Sequence, residues 1–354
     1  MIENKTAVYV GRFAIEHNGH DETIKYMKEN YDTVIVLNGS ANRRRSFKNP
    51  FNTQVIEQWI LENHPDVKFA TINDYIYDES KWITQVETIV NALSPTSNIT
   101  LVGHNRDASS YYLKEFPNWS FDEVGVLAGD VSATVLRNVY FEHNLGDPEI
   151  NFQLYIDAMN FIKYNVPENV YSYLNDFTET DAYKDIYEEV QYFKQEDKRF
   201  ENYPYPETLK FSCSDMIVNC NANILLIQRK FAPGKGTWAI PGGFTNRDET
   251  FKDCAIRELF EETGIKVPEK VIRKSITQKE VFDNPKRNEG IPRVSNAFYA
   301  EIDPDYVGEG YPKLPKVKAS DDAMDAQWIP IAKIKDMQLF DDHSDIINYF
   351  TKSL

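Results

Sequence analysis

The chain is short of cysteine, of basic charge and of long apolar runs, and each shortage excludes something. Three cysteines, Cys213, Cys220 and Cys254, cannot build a disulfide framework, and no Cys-x-x-Cys pair suggests a structural zinc. A reducing cytoplasm is therefore the expected compartment. No stretch approaches the roughly 18 uninterrupted apolar residues that a membrane-spanning helix needs. The opening residues, Met1-Ile2-Glu3-Asn4-Lys5-Thr6, have no basic start followed by a long hydrophobic stretch, so no signal peptide is expected. Lysine and arginine number 39 against 55 acidic residues, a net charge of −16 that repels polyanions. Neither nucleic acid nor an anionic membrane is an expected partner. Small phosphorylated ligands stay open, because a cleft can be locally positive.

What the chain does have is apolar and aromatic bulk. Its 354 residues, 42% hydrophobic and 13% aromatic, suffice for two domains with packed cores. Short β-branched runs at 7–10 and 33–37 flank a segment with Ile24, Met27 and Tyr31 at helical spacing, a βαβ opening. Apolar runs at 67–72, 99–102 and 124–127, alternating with a helix-like stretch at 82–93, predict a parallel sheet covered on both faces. Ligands of such sheets sit beyond the carboxyl ends of the strands. After about residue 145 the character changes. Residues 168–201 hold ten acidic and four basic residues and no glycine, and read as amphipathic helix until Tyr203-Pro204-Tyr205-Pro206 breaks it. Strand-like runs at 216–220 and 224–229, joined by Asn221-Ala222-Asn223, predict a hairpin. The expected division is 1–145, a helical connector over 146–204, and 205–354.

Two motifs carry chemistry. After Pro241-Gly242-Gly243 come Glu249 and then Arg257-Glu258-Leu259-Phe260-Glu261-Glu262-Thr263-Gly264-Ile265. On a helix Glu258, Glu261 and Glu262 fall at i, i+3 and i+4, one face of hard oxygen donors suited to Mg²⁺ or Mn²⁺. The second motif follows the first strand: Gly11-Arg12-Phe13-Ala14-Ile15-Glu16-His17-Asn18-Gly19-His20. Two of only six histidines stand three apart at a strand-to-helix turn, where helix N–H groups receive phosphate and imidazoles can donate to phosphoryl oxygens. The basic run Arg43-Arg44-Arg45 reads as a nucleotide contact or a solvated face.

The first motif resembles the Nudix box at each defined position: Gly243, Glu249, Arg257, Glu258, Leu259, Glu261, Glu262, Gly264 and Ile265. The resemblance implies an α+β Nudix fold and hydrolysis of a nucleoside diphosphate derivative. It makes Glu258 and Glu262 the principal metal ligands, Glu261 a ligand or base, Gly243 part of the metal site, and Arg257 the residue that orients the carboxylates. Trp238 and the stretch from Phe282 to Arg293, with Arg287 and Arg293, are similar to the substrate-binding parts of ADP-ribose-cleaving members.

The histidine motif resembles that of the nucleotidylyltransferases, and further segments are similar to archaeal-type nicotinamide mononucleotide (NMN) adenylyltransferases. These are Gly39-Ser40-Ala41 with Lys48-Asn49-Pro50-Phe51, and Ser132-Ala133-Thr134-Val135-Leu136-Arg137. The implied fold is an α/β, Rossmann-like domain with helices on both faces of a parallel sheet. The implied catalytic residues are His17, His20 and Arg137, with substrate held by Gly11, Arg12, Phe13, Gly39, Ser40, Asn49, Ser132 and Thr134. Trp82 matches the tryptophan expected on nicotinamide, or else a core residue, and the segment from Gly103 to Asp107 is placed to line the same cleft. One departure is Ile15, where the family usually has proline.

In order and extent the whole chain resembles the bifunctional NMN adenylyltransferase/Nudix hydrolases. The resemblance implies ATP, NMN, NAD and ADP-ribose as small-molecule partners and is compatible with a homo-oligomer. Nicotinate mononucleotide or a pantetheine phosphate as acceptor, another nucleoside diphosphate derivative for the Nudix half, and an ADP-ribose sensor in place of a hydrolase remain the alternatives.

Overall fold

The structure, a computed structural model, describes residues 4–103, 115–125, 131–147, 149–150, 152–306 and 312–352. It divides into two compact units, Met1–Val190 and Gln191–Leu354.

In the first unit strands and helices alternate: β1 (Thr6–Gly11), α1 (Asn18–Asn30), β2 (Thr33–Asn38), α2 (Thr53–Asn63), β3 (Lys68–Thr71), α3 (Glu79–Leu93), β4 (Ile99–Gly103) and β5 (Ser120–Glu123). Then come α4 (Ala133–Tyr140), α5 (Phe152–Asn165), α6 (Glu168–Phe177) and the opening of α7 (Asp181–Phe200). Among the described residues the strands form one parallel sheet in the order β3-β2-β1-β4-β5, the expected α/β architecture. That order reverses between β1 and β4, so the carboxyl ends of these two strands border the crevice where such sheets bind ligands. Alternation along β1 loads both faces: Ala7 and Tyr9 join a cluster with Phe13, Trp59 and Leu136, while Val8 joins one with Ile35, Val86 and Leu101.

Two expectations shift. The strand expected at 124–127 is β5, four residues earlier; residues 126 and 127 lie outside the described residues. Its Ser120-Phe121-Asp122-Glu123 sequence is mostly exposed at the sheet edge, so no apolar run announces it. The stretch read as one helix over 168–201 is two, α6 and α7, and the expected connector 146–204 falls partly in each unit. Met159, Ile162, Leu174, Tyr183 and Ile186 enter the first unit's core, and the Tyr183 hydroxyl donates to the Tyr140 and His143 carbonyls at 2.8 Å.

The second unit holds β6 (Phe211–Cys220), β7 (Asn223–Arg229), β8 (Trp238–Ala239), β9 (Gly242–Phe244), α8 (Phe251–Thr263) and α9 (Glu269–Ser275). It continues with β10 (Ile276–Phe282), β11 (Arg293–Ile302), β12 (Asp305–Tyr306), β13 (Pro312–Lys313), β14 (Ala323–Pro330), α10 (Ile331–Ile334) and α11 (His343–Thr351). The main sheet is mixed, in the order β10-β11-β6-β7-β14, with β11 and β6 parallel; this is the expected α+β fold. Asn221 and Ala222, at φ 49° and 57°, form the two-residue turn of the predicted β6–β7 hairpin, where both central residues need positive φ. One face of the sheet packs Leu259 and Ile256 of α8, and the other packs Ile346, Ile347 and Phe350 of α11. Gly264 ends α8 in the left-handed conformation, as expected.

Of the run Arg43-Arg44-Arg45 the middle residue is turned inward, while Arg43 is half-buried and Arg45 exposed. Arg44 is 4% exposed and donates to Glu189 Oε2 at 2.7 Å, while Glu189 Oε1 accepts from the Phe47 backbone. Removing one member of such a pair strands the other charge in the interior. Arg44→Ala should therefore destabilise the first unit by about 3–5 kcal/mol in chemical denaturation, and Arg44→Met with Glu189→Leu should recover most of that loss. Equal stability of Arg44→Ala and the native chain would contradict the pairing.

Candidate active sites

The first site grows from the end of β1. His17 caps α1: its Nδ1 accepts from the Gly19 backbone at 3.1 Å, while His20 Nδ1 accepts from the His17 backbone at 3.4 Å. This reciprocal capping box uses both Nδ1 atoms as acceptors, so each neutral ring carries its proton on Nε2 and presents that atom as a donor. The rings stack at 3.7 Å. A Cβ on Gly19 would press to 3.0 Å on the His17 ring. Phe13, 2% exposed and at φ 47°, meets the His20 ring edge-on at 5.0 Å. β2 adds the next residues. Gly39 N donates to Gly11 O at 2.8 Å, and the Asn38 side chain donates to the Arg12 carbonyl, leaving the Arg12 side chain exposed at the rim. Gly103 ends β4, beside β1 in the sheet.

A second assembly lies at the start of α4. Ser132 caps it, accepting from Val135 N at 3.3 Å, and Thr134 Oγ1 accepts from the Arg137 guanidinium at 3.1 Å. That guanidinium lies 5.6 Å from the centre of the Phe47 ring, within the Ser46–Asn49 turn that also contains Asn49. Ser132 and Thr134 thus stand at the N-terminus of α4, where N–H groups favour anions, and the guanidinium of Arg137, 4% exposed and rising from the last turn, reaches back to Thr134. Other expected residues are engaged elsewhere. Ser40 Oγ donates to Asp74 Oδ2 at 2.7 Å. Trp82 is half-buried in the apolar layer on the other face of the sheet, 6.0 Å from Phe116. His104, Asn105, Arg106 and Asp107 lie outside the described residues.

The sequence reading missed a group behind the histidines. Glu16 is fully buried, and burial pushes its carboxyl up to about 8, opposed by the Asn63 amide. Asp21 Oδ1 lies 2.9 Å from His64 Nε2, and Glu16, Asp21 and His64 bring ligand-type atoms within 4.8 Å of one another. Their signal was faint, one acid next to His17 and one histidine 47 residues on.

In the second unit Thr250 caps α8, and the helix carries the expected carboxylates along one side. Arg257 gathers them. Its Nε and Nη2 donate to the two oxygens of Glu249 at 3.0 and 2.7 Å, and its Nη1 donates to Glu258 at 2.7 Å and Glu261 at 2.8 Å. This fork lowers the Glu249 carboxyl to about 2. Glu262 is different: 5% exposed, it accepts from Gly242 N at 3.0 Å, and burial pushes its carboxyl up to about 8, helped by the nearby Glu258 charge. Burial raises Glu258 as well. Opposite them a Cβ on Gly243 would fall inside contact distance of the Glu258 carboxylate, so the glycine keeps the backbone of β9 against the cluster. Three carboxylates on one guanidinium, with Glu262 beside them, leave an excess of negative charge on hard oxygen donors, a set that fits a divalent cation held by Glu258, Glu262 and Glu261.

The remaining expected residues have partners within the unit. Arg287, 7% exposed, makes a two-pronged pair with the fully buried Asp342 at 2.8 Å for each bond. Arg293 donates to Glu196 Oε1 at 2.7 Å. Trp238 is part of β8 and packs against the α11 face. Asp215 went unnoticed although a lone acid in the apolar run of β6 is a visible signal. It is bonded to Ser295 behind Gly242, and burial pushes it up to about 6.

Comparison with known proteins follows the same division. Residues 213–350 match the family model described as NUDIX domain. Nicotinamide/nicotinic acid mononucleotide adenylyltransferase of Acinetobacter baylyi is 33% identical over 185 residues, covering 51% of this chain and 89% of that protein. ADP-ribose pyrophosphatase of Methanocaldococcus jannaschii is 29% identical over 159 residues, 45% of this chain and 81% of the relative. The crystal structure of a bifunctional NMN adenylyltransferase/ADP ribose pyrophosphatase from Francisella tularensis, complexed with AMP and a Mn ion, covers 99% of both chains at 30% identity, with a TM-score of 0.80.

Arg257→Lys keeps the charge but loses the planar fork. It should weaken Mn²⁺ binding about 10- to 100-fold, read from the paramagnetic resonance of free Mn²⁺, with the circular dichroism spectrum unchanged. Native affinity in this variant would remove Arg257 from the role of orienting the carboxylates.

Proposed function

Because the chain belongs to the family of bifunctional NMN adenylyltransferase/ADP-ribose pyrophosphatases, we propose that its two activities run on the two residue assemblies described above. The first half transfers the adenylyl group of ATP to NMN, giving NAD and pyrophosphate. The second half hydrolyses ADP-ribose to AMP and ribose 5-phosphate and takes a divalent cation, which we read as Mg²⁺ or Mn²⁺. The observation that supports this best is the pairing, in one chain, of Nε2 donors at a strand-to-helix turn with an arginine-gathered glutamate cluster against a glycine strand.

In the transferase, an NMN phosphate oxygen forms a bond to the α-phosphorus of ATP as the bond to the departing pyrophosphate breaks. The nucleophile is already an anion, so no residue has to remove a proton from it. The work left to the protein is alignment and the stabilisation of charge on the phosphoryl oxygens. His17 and His20 supply that through their Nε2 donors, and Arg12 adds a cation at the rim. Ser132, Thr134 and Arg137, at the start of α4, hold the triphosphate. Gly11 and Gly39 edge the crevice where their backbones bond, the bare Cα of Gly11 making room for the Phe13 ring, and Gly103 lines the other side.

In the hydrolase, a cation held by Glu258, Glu261 and Glu262 would neutralise the pyrophosphate and lower the pKa of an attacking water. Arg257 fixes the directions of Glu249, Glu258 and Glu261, and Gly242 N fixes Glu262. Glu261, 44% exposed in its side chain, is the carboxylate best placed to accept the proton of that water. Nicotinate mononucleotide is a second acceptor for the transferase, a reading favoured by the Acinetobacter baylyi relative, a nicotinamide/nicotinic acid mononucleotide adenylyltransferase. The scarcity of cysteine fits a reducing cytoplasm, and the net charge of −16 disfavours nucleic-acid partners. Among the described residues no helix is long and apolar enough to cross a membrane.

The test is a crossed pair of variants. His20→Ala should lower NAD formation about 10²- to 10³-fold while ADP-ribose hydrolysis persists, and Glu262→Gln should do the reverse. Loss of both activities in either variant would show that the two assemblies do not act separately.

A further inference from the structure

Glu16, Asp21 and His64 have no part in the chemistry assigned to the first half, and their burial asks for another reason. Glu16, in the loop between β1 and α1, is fully buried; Asp21 is in the first turn of α1; His64 closes α2 and is 2% exposed. One ligand-type atom from each lies within 4.8 Å of the other two. Nearness of acids is common without an ion, and what sets this group apart is the state of Glu16. Its Oε1 is buried without a hydrogen-bond partner, and its Oε2 accepts from the Asn63 amide at a long 3.4 Å. Folded interiors leave few polar atoms in that condition, because each has given up its water for nothing. Burial pushes the Glu16 carboxyl up to about 8, so a proton neutralises it when nothing else does. A cation shared with Asp21 and His64 would answer the charge and the orphaned oxygen together.

The surroundings hold these donors in place. Lys25 Nζ takes Asp21 Oδ2 at 2.7 Å, which leaves Asp21 Oδ1 to face His64 Nε2 at 2.9 Å. Asn63, which steadies Glu16, is the residue before His64. Supporting bonds of this kind orient the ligands of metal sites. Two donors each about 2.1 Å from one ion stand about 3.0–3.5 Å apart at the angles of four- to six-coordinate sites. The Asp21–His64 separation is already close to that, and the 4.8 Å bound lets an ion draw in the third donor. Asp21, 16% exposed in its side chain, gives a way in from solvent. The mixture of donors selects the metal. Mg²⁺ prefers a shell of oxygens, whereas an imidazole with two carboxylates suits Zn²⁺ and its neighbours in the first transition row.

We propose that Glu16, Asp21 and His64 form a binding site for a divalent transition-metal ion of the Zn²⁺ class, built from residues other than those of the hydrolase cation site. The ion joins the loop before α1 to the end of α2. Glu16 precedes His17 and Asp21 follows His20 in the sequence, so the same ion braces the turn that carries both histidines. It touches no reacting atom, and its role there is to position the turn.

The test is a calorimetric titration of Zn²⁺ into the full chain, stripped of metal by a chelator and carrying Glu258→Gln and Glu262→Gln to silence the hydrolase site. This background should bind one equivalent of Zn²⁺ that an excess of Mg²⁺ does not displace. Adding Glu16→Gln or His64→Gln should weaken the binding at least tenfold. X-ray absorption at the zinc edge should show an imidazole nitrogen at about 2.0–2.1 Å, lost in His64→Gln. Zn²⁺ should also raise the Tm of the background chain and leave that of the Glu16→Gln chain unchanged. Should either variant fail to fold, as its circular dichroism would show, Asp21→Asn at the half-buried position reads the same tenfold loss. Absence of a bound equivalent in the background, affinity unchanged by these substitutions, or a zinc shell of oxygens alone would each overturn the proposal.

Discussion

An arginine that holds three carboxylates at once is the interaction on which the second half depends. Glu249, Glu258 and Glu261 would repel one another on and beside a single helix, and Arg257 binds all three within 3.0 Å. The fork leaves Glu262 outside its reach, buried against Gly242 N, where the carboxyl is pushed up to about 8. The site is consequently asymmetric: one set of carboxylates is kept charged by an arginine, and one carboxylate is kept short of a counter-charge. A divalent cation held there would supply that counter-charge, and the bare Cα of Gly243 lets the β9 backbone lie against the Glu258 carboxylate. The same logic of charge answered by fixed dipoles or cations runs through the first half, where the ligand and not the protein brings the anion. There the donors are imidazole Nε2 atoms and the start of α4.

The net charge of −16 takes on a different meaning in this light. Several acidic residues are internal partners of arginines: Glu189 of Arg44, Glu196 of Arg293 and Asp342 of Arg287. These arginines look like phosphate ligands in the sequence, and in the fold each is paired with a carboxylate. The positive charge offered to substrate is therefore smaller and more local than the composition suggests, with Arg12 exposed at the end of β1.

How far the sequence could be read follows from which distances matter. The glutamate helix was legible because its geometry is local: Glu258, Glu261 and Glu262 share a face by helical spacing alone, and Gly264 marks the end of the same helix. The histidine turn was legible for the same reason, although its capping box was not, since only the coordinates show Nδ1 turned to the backbone. The parallel sheet was legible from apolar runs, except for β5, whose polar edge residues hide it. What could not be read were pairings across long separations. Arg44 and Glu189 are 145 residues apart, and Arg287 and Asp342 are 55 apart, so nothing in the neighbourhood of either arginine announces its partner. Asp215 and Glu16 were overlooked because a single acid among apolar neighbours looks like a surface break until its burial is known.

The central claim is that one chain carries two separate phosphate chemistries. It is tested most directly by chromatography of the products formed by the native chain with Mg²⁺ or Mn²⁺. With NMN and ATP the account predicts NAD and pyrophosphate, and with ADP-ribose it predicts AMP and ribose 5-phosphate. Recovery of either substrate set unchanged, under conditions where the chain is folded and binds the cation, would contradict it.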